Sequence, residues 1–229
     1  MIDEEQRGRL RGVLWDMDGT SINSASVWNA AIRTAATEVG IAWNDSDDAA
    51  VRGHGMWSVA ARFQMKNADL SDAERTVAQI ERFTVDLAAT ARPVWLPGVQ
   101  EMLTACADEG VRCALVTMSG RESVEAILGA LDLDLFEVII SGSDVVKPKP
   151  APEPYLRGLD ALGLTADSCV ALEDSFVGIT SAVSAGLTTI AVNAPSSVHI
   201  SGPVTRWDTL AGRTLGDLRE VHAAVGARL

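Results

Sequence analysis

The sequence predicts an α/β protein: a doubly wound parallel sheet with a Rossmann-like core, interrupted near its start by an all-helical insertion. Three observations lead there. From residue 97 onward, short and continuously apolar runs alternate with helical stretches, and unbroken apolar strands mark a parallel sheet covered on both faces. One more such run, Val13-Leu14-Trp15, stands alone near the beginning, and the residues after it, 24–92, carry helical spacing and no convincing strand. Finally, the apolar runs end in acids, hydroxyls and glycines, where open α/β sheets bind their ligands.

Each element has its own justification. Val13, Leu14 and Trp15 suit a pleated, covered position. The run stops at Asp16-Met17-Asp18-Gly19-Thr20, where Gly19 permits a sharp turn and Thr20 can hydrogen-bond that turn or cap the next segment. Residues 27–39 are Ala-rich and end at Gly40, a helix with its stop. Residues 44–48 form an acidic break able to cap the next helix. Residues 57–64 and 72–91 repeat apolar side chains every three to four positions, and Pro93 ends the second helix. Beyond it we expect helices at 97–108, 122–131, 152–162, 176–185 and about 215–225. Between them lie strands at 112–117, 136–140, 169–172 and 188–192. The expected domains are a core of residues 1–23 and 93–229 and an insertion of residues 24–92.

Composition narrows the function. A 229-residue chain with 47% hydrophobic residues and a mean hydropathy of +0.13 fits an ordered globular protein. A net charge of −12 argues against nucleic-acid binding, which Lys and Arg drive. It leaves phosphate esters open, because a bound cation reverses the local field. Cys106, Cys113 and Cys169 follow no framework spacing and read as buried free thiols in a reducing compartment. Residues 1–11 lack the apolar stretch of a secretory signal, and no run approaches the length of a membrane span. The expectation is therefore a cytoplasmic protein, monomeric or weakly dimeric, without membrane or nucleic-acid partners.

Four segments stand at ends of expected strands or just beyond them. Asp16 and Asp18, taken alone, are either an Asx-type turn or a functional carboxylate pair. Thr117-Met118-Ser119-Gly120 opens a helix with hydroxyls and free N–H groups, which makes an anion site. In Lys147-Pro148-Lys149-Pro150-Ala151-Pro152-Glu153-Pro154, alternating prolines fix an extended loop, so a lysine there loses little entropy on reaching a ligand. Glu173-Asp174-Ser175 is either simple helix capping or an acidic site. Only three lysines occur, Lys66, Lys147 and Lys149, and two of them sit in the proline loop.

In this order the four segments resemble the motifs of the haloacid dehalogenase superfamily of phosphohydrolases, and overall the β-phosphoglucomutase-like subgroup with a helical cap. The resemblance implies a doubly wound core and Mg2+ as cofactor. It implies that Asp16 attacks phosphorus to give an aspartyl phosphate, while Asp18 is the general acid/base and ligates the metal through its carbonyl. Thr117 would hydrogen-bond phosphoryl oxygens, in one phosphate loop with Met118, where many relatives have Asn, and Ser119. Lys149 would balance the charge, with Lys147 as the competing register. Asp174 would ligate Mg2+, with Glu173 a further ligand or the holder of a metal-bound water.

The helical insertion would be a mobile cap hinged at residues 22–25 and 92–95. His54, Gly55, Met56 and Trp28 are its candidates for setting substrate specificity, whereas Trp28, Trp43 and Trp57 are also expected to fill the cap's core. Ser21 and Asn23 depart from the family, which commonly has Leu and Asp there. Asp18 sets the chain apart from the dehalogenase branch, which has no acid there, and disfavours the phosphonatase branch. Trp28 stands where the mutases carry a cap histidine, which favours hydrolysis. The implied function is a magnesium-dependent phosphatase for a small phosphorylated metabolite, with sugar phosphates among the candidates. The alternatives are a sugar phosphomutase and a silent regulator that binds a phosphorylated ligand.

Overall fold

The structure is a computed structural model that describes residues 9–51, 56–131, 135–196, 198 and 204–226. The first strand, β1 (Gly12–Trp15), is buried throughout, as its apolar sequence requires. Short strands β2 (Ile22–Asn23) and β3 (Val94–Trp95) flank a helical stretch. The sheet continues with β4 (Arg112–Val116), β5 (Val138–Ile140), β6 (Cys169–Glu173), β7 (Thr188–Val192) and β8 (Val204–Trp207). All six strands of the large sheet are parallel, in the order β5-β4-β1-β6-β7-β8. The chain runs outward from β1 through β4 to β5, then returns to the other side of β1 for β6, β7 and β8. This reversal puts β1 at the topological switch, with a crevice beyond the carboxyl ends of β1, β4 and β6.

The register fixes that crevice. Trp15 pairs with Leu115 on one side and Leu172 on the other, so the three strands end level. The next amide, Asp16 N, donates to Leu172 O at 3.0 Å, and Thr117 N donates to Ile140 O at 2.9 Å. Beneath lies an apolar core that includes Leu14, Val116, Leu159, Leu162 and Ala171. Burying such a side chain contributes roughly 1.5–3 kcal/mol, so the register is held by packing as well as by the ladder.

Two compact units emerge. The first holds residues 1–23, 95–119 and 134–229: the large sheet with helices α5 (Val99–Asp108), α7 (Glu153–Leu162), α8 (Phe176–Ser184) and α9 (Leu215–Gly226). The second is helical. It holds α1 (Ala25–Glu38), α2 (Asp45–Val51), α3 (Met56–Lys66) and α4 (Ala73–Ala91), together with α6 (Arg121–Gly129) from residues 120–133. Helix α4 is its axis: α1, α3 and α6 all pack against it. Asp72 caps α4 by accepting from Arg75 N, and Arg92, left-handed at φ 50°, ends it.

Several details differ from the sequence-based expectation. Residues 45–48 belong to helix α2, because three aspartates in its first turn suit the positive end of a helix. Trp57 is 58% exposed, not core: the buried face of α3 is Val59, Ala60 and Phe63, and Trp57 lies off that stripe. Trp28 is buried, and Trp43 packs on Phe63 with ring centroids 5.0 Å apart. Strand β8 was not anticipated. The three cysteines are free and buried. Among the described residues, no helix is long and apolar enough to cross a membrane.

Candidate active site

The site grows from the switch point. Past β1, Asp16 is buried with 8% exposure, and its side chain sits beside Lys149. Lys149 Nζ donates to Asp16 Oδ1 at 2.7 Å, to Glu173 Oε1 at 2.5 Å and to the Val116 carbonyl at 2.9 Å. One ammonium thus ties the ends of β1, β4 and β6 together with all three of its protons. Lys147, the competing register, is exposed, and its backbone N–H donates to Glu153.

Asp18 lies on the same side. Ser119 Oγ donates to Asp18 Oδ2 at 2.8 Å and Thr117 Oγ1 at 3.3 Å, so the loop after β4 orients this carboxylate. Thr117 Oγ1 in turn accepts from Ser119 N at 3.1 Å. Met118 has its own contact: the Lys149 backbone N–H donates to Met118 Sδ at 3.4 Å. The thioether therefore accepts a hydrogen bond here, joining the Thr117 loop to the lysine loop.

Glu173 is fully buried and engaged on both oxygens. Oε1 accepts from Lys149 and from Tyr155 Oη at 2.9 Å, while Oε2 accepts from Asp174 N, Ser175 N and Ser175 Oγ. Gly178 lets α8 approach: a Cβ there would sit 1.8 Å from Glu173 Oε1. Asp174 is partly buried against Gly19, where a Cβ would meet Asp174 Oδ2 at 2.2 Å. With φ at 90°, Gly19 is doubly required.

The charges do not balance. Burial first, then Glu173, raises the Asp16 carboxyl to about 7, although Lys149 opposes the shift. Burial, Asp16 and Glu173 raise Asp174 to about 9. Burial works against the charge on Lys149, but Asp16 and Glu173 outweigh it and hold the ammonium above its ordinary value. One lysine cannot offset this many acids. Ligand atoms of Asp16, Glu173 and Asp174 lie within 4.8 Å of one another, an all-oxygen donor set able to hold a hard divalent cation. With Glu173 committed to hydrogen bonds, Asp16 and Asp174 are the carboxylates with coordination left to offer.

Asp16, Asp18, Thr117, Met118, Ser119, Lys149, Glu173 and Asp174 thus all lie around the strand ends of the first unit. The specificity candidates belong to the second: Trp28 on α1, and Met56, half-buried, at the start of α3. His54 and Gly55 fall outside the described residues. Thr20 does not do what its position suggested. It is fully buried, and its hydroxyl has no hydrogen-bond partner among the described residues. Ser21 takes that part, with Oγ donating to the Asp16 carbonyl at 2.5 Å. Tyr155 was missed outright. It is the chain's only tyrosine and comes directly after the proline loop, a signal available in the sequence.

Known proteins resemble this chain in sequence and in fold. A family model described as haloacid dehalogenase-like hydrolase matches residues 13–192. The chain is 32% identical to protein CbbY of Rhodobacter capsulatus over 78% of its own length and 83% of the relative's. It is 29% identical to hexitol phosphatase A of Escherichia coli, covering 82% of this chain and 85% of that one. A crystal structure of β-phosphoglucomutase from Clostridium difficile shares the fold, with TM-score 0.79 and 19% identity over 96% of this chain and all of the other.

Proposed function

We propose that this chain, which belongs to the haloacid dehalogenase-like hydrolases and is a phosphatase, hydrolyses a small phosphate monoester with Mg2+ as its cofactor and Asp16 as its nucleophile. The observation that carries this reading is the convergence on one crevice of a lysine-bound aspartate, a second aspartate held by two hydroxyls, and an acidic group short of positive charge. The hexitol phosphatase relative supports a phosphorylated sugar or polyol as the substrate class.

The residues divide the work. Lys149 favours the ionised form of Asp16 and aims it, so that one carboxylate oxygen forms a bond to phosphorus as the ester P–O bond breaks. Asp18, oriented by Ser119 and Thr117, gives a proton to the departing alkoxide. It then takes one from the water that attacks phosphorus and frees Asp16 with release of inorganic phosphate. Lys149 also offsets the charge on the transferring phosphoryl group, and Thr117 and Ser119 would turn their hydroxyl protons from Asp18 to hydrogen-bond its oxygens. Asp16, Asp174 and the Asp18 carbonyl would hold Mg2+, with Glu173 orienting its outer sphere. The ion would supply charge neutralisation for the phosphoryl group.

A panel of sugar, polyol and small-acid phosphates, assayed with Mg2+ and with EDTA, tests the reading. Metal-dependent phosphate release is expected from at least one ester and is expected to vanish in Asp16→Asn. Undiminished release by that variant would remove Asp16 as the nucleophile. A phosphosugar isomer in place of free phosphate would make the protein a mutase.

A further inference from the structure

Asn193 lies outside the four strand-end segments, yet it touches the nucleophile loop. It is the first residue past β7 and adopts a left-handed conformation, φ 56°, which a residue other than glycine seldom takes. Its backbone N–H donates to Trp207 O on β8 at 3.1 Å, so the sheet anchors it. Its side-chain Nδ2 donates to the Gly19 carbonyl at 3.2 Å, across 174 residues of sequence. The segment beyond is clamped from β8: Arg206 donates to the carbonyls of Ala194, Pro195 and Val198.

Gly19 is where this contact matters. Its amide donates to Ile22 O at 2.9 Å, and its Cα faces Asp174 with no room for a methyl group. The Gly19 peptide therefore sets how close the Asp16–Asp18 loop lies to Asp174. Strand β1 ends at Trp15, and past the Asp16 N–H bond to Leu172 O the sheet ladder no longer holds this loop.

We infer that Asn193 is a positioning residue for the phosphatase reaction: its amide fixes the Gly19 carbonyl and, through it, the spacing of Asp16 and Asp18 from Asp174. This rests on the function proposed above. The two demands on the position select its residue type. Glycine would accept the left-handed backbone but has no donor. Aspartate would accept it too, but would present an anion to a carbonyl beside a site already overloaded with acids. Asparagine accepts this conformation and brings a neutral N–H donor of the right reach. A non-glycine residue held left-handed at a strand end beside reactive groups is the pattern expected where conformation serves function.

Asn193→Gly and Asn193→Asp test this, with p-nitrophenyl phosphate and the best ester of the panel as substrates. Asn193→Gly keeps the backbone relaxed, so its melting temperature should stay within about 3 °C of the parent. Its kcat should fall by about tenfold or more with KM within about threefold, and the Mg2+ concentration for half-activation should rise. Asn193→Asp should lose more. In both variants, amide exchange across residues 16–22 should quicken; this readout needs no substrate. Values of kcat within twofold of the parent in both variants, with exchange unchanged, would overturn the inference. A parent enzyme that releases phosphate from no ester would overturn the functional reading, while the exchange comparison would still decide the role of Asn193.

Discussion

Two buried clusters of acid meet opposite fates in this molecule. In the helical unit, Asp47 is as buried as any carboxylate at the strand ends, but it is richly partnered: Arg62 Nε and Nη2 at 2.9 and 2.8 Å, Lys66 Nζ at 2.7 Å and Asn44 N at 3.0 Å. Those contacts, led by Lys66, hold its carboxyl down at about 2. At the strand ends, Asp16, Glu173 and Asp174 share one lysine, and Asp16 and Asp174 are pushed up to about 7 and about 9. Like residues in like burial thus separate by their cation supply. A cluster whose charges close upon themselves holds structure together. One left short of positive charge has a place for a cation, as the proposed Mg2+ would be.

The comparison breaks most sharply at Lys149. Its side chain is 3% exposed, and removing it leaves Asp16 and Glu173 buried without a cation. Lys149→Met should lower turnover by about a thousandfold or more, since charge balance and nucleophile aim are lost together. Without metal it should also destabilise the protein by about 3–5 kcal/mol, the usual cost of stripping one partner from a buried ion pair. Turnover within tenfold of the parent would show that Lys149 serves the fold alone.

Metal and pH sharpen the contrast next. A carboxyl raised in the folded state binds its proton more tightly there than in the unfolded chain. For Asp16 and Asp174, metal-free stability should therefore fall as pH rises from about 4 toward about 9. Mg2+ at about a hundred times its dissociation constant should add about 2.7 kcal/mol at neutral pH and flatten that slope. Asp47 slopes the other way: its contribution is complete above about pH 4 and is lost as pH falls through about 2. Melting curves across pH, with Mg2+ and with EDTA, check both limbs. Asp47→Asn should remove the acid limb and lower the melting temperature by several degrees while leaving the Mg2+ response intact.

The same contrast explains what the sequence revealed. Asp16, Asp18, Lys149 and Asp174 could be singled out as candidates because each sits in a local pattern: an apolar run ending in acid, or a lysine stiffened by prolines. Parallel strands buried on both faces announce themselves as β4, β6 and β7 do. Strand β8 does not, because Val204-Thr205-Arg206-Trp207 sits at the sheet edge with an exposed arginine. Contacts joining distant segments were illegible. Nothing local to Asn193 points to Gly19, and nothing local to Met118 shows its sulfur meeting the Lys149 amide. Ser21 was visible as a departure, but its bond to the Asp16 carbonyl depends on a turn that only the folded loop displays.

Tyr155 gives the smallest expected effect and the finest test of how the acidic cluster is tuned. Its hydroxyl donates to Glu173 Oε1 at 2.9 Å, and Lys149 Nζ lies 5.1 Å from its ring centroid. Tyr155→Phe keeps the ring, and with it the cation–π contact, but removes the donor. Glu173 Oε1 then depends on Lys149 alone, which draws the ammonium from Asp16 toward Glu173. A hydrogen bond to a charged group contributes about 1.5–3 kcal/mol, and part of that should be recovered by this shift. We therefore expect a stability loss of about 1 kcal/mol and a kcat lowered about threefold to tenfold with KM nearly unchanged, because the nucleophile is aimed less well. Equal stability and equal kcat in Tyr155→Phe would mean that Lys149 satisfies Glu173 unaided and that the hydroxyl plays no part in dividing the cation between the two acids.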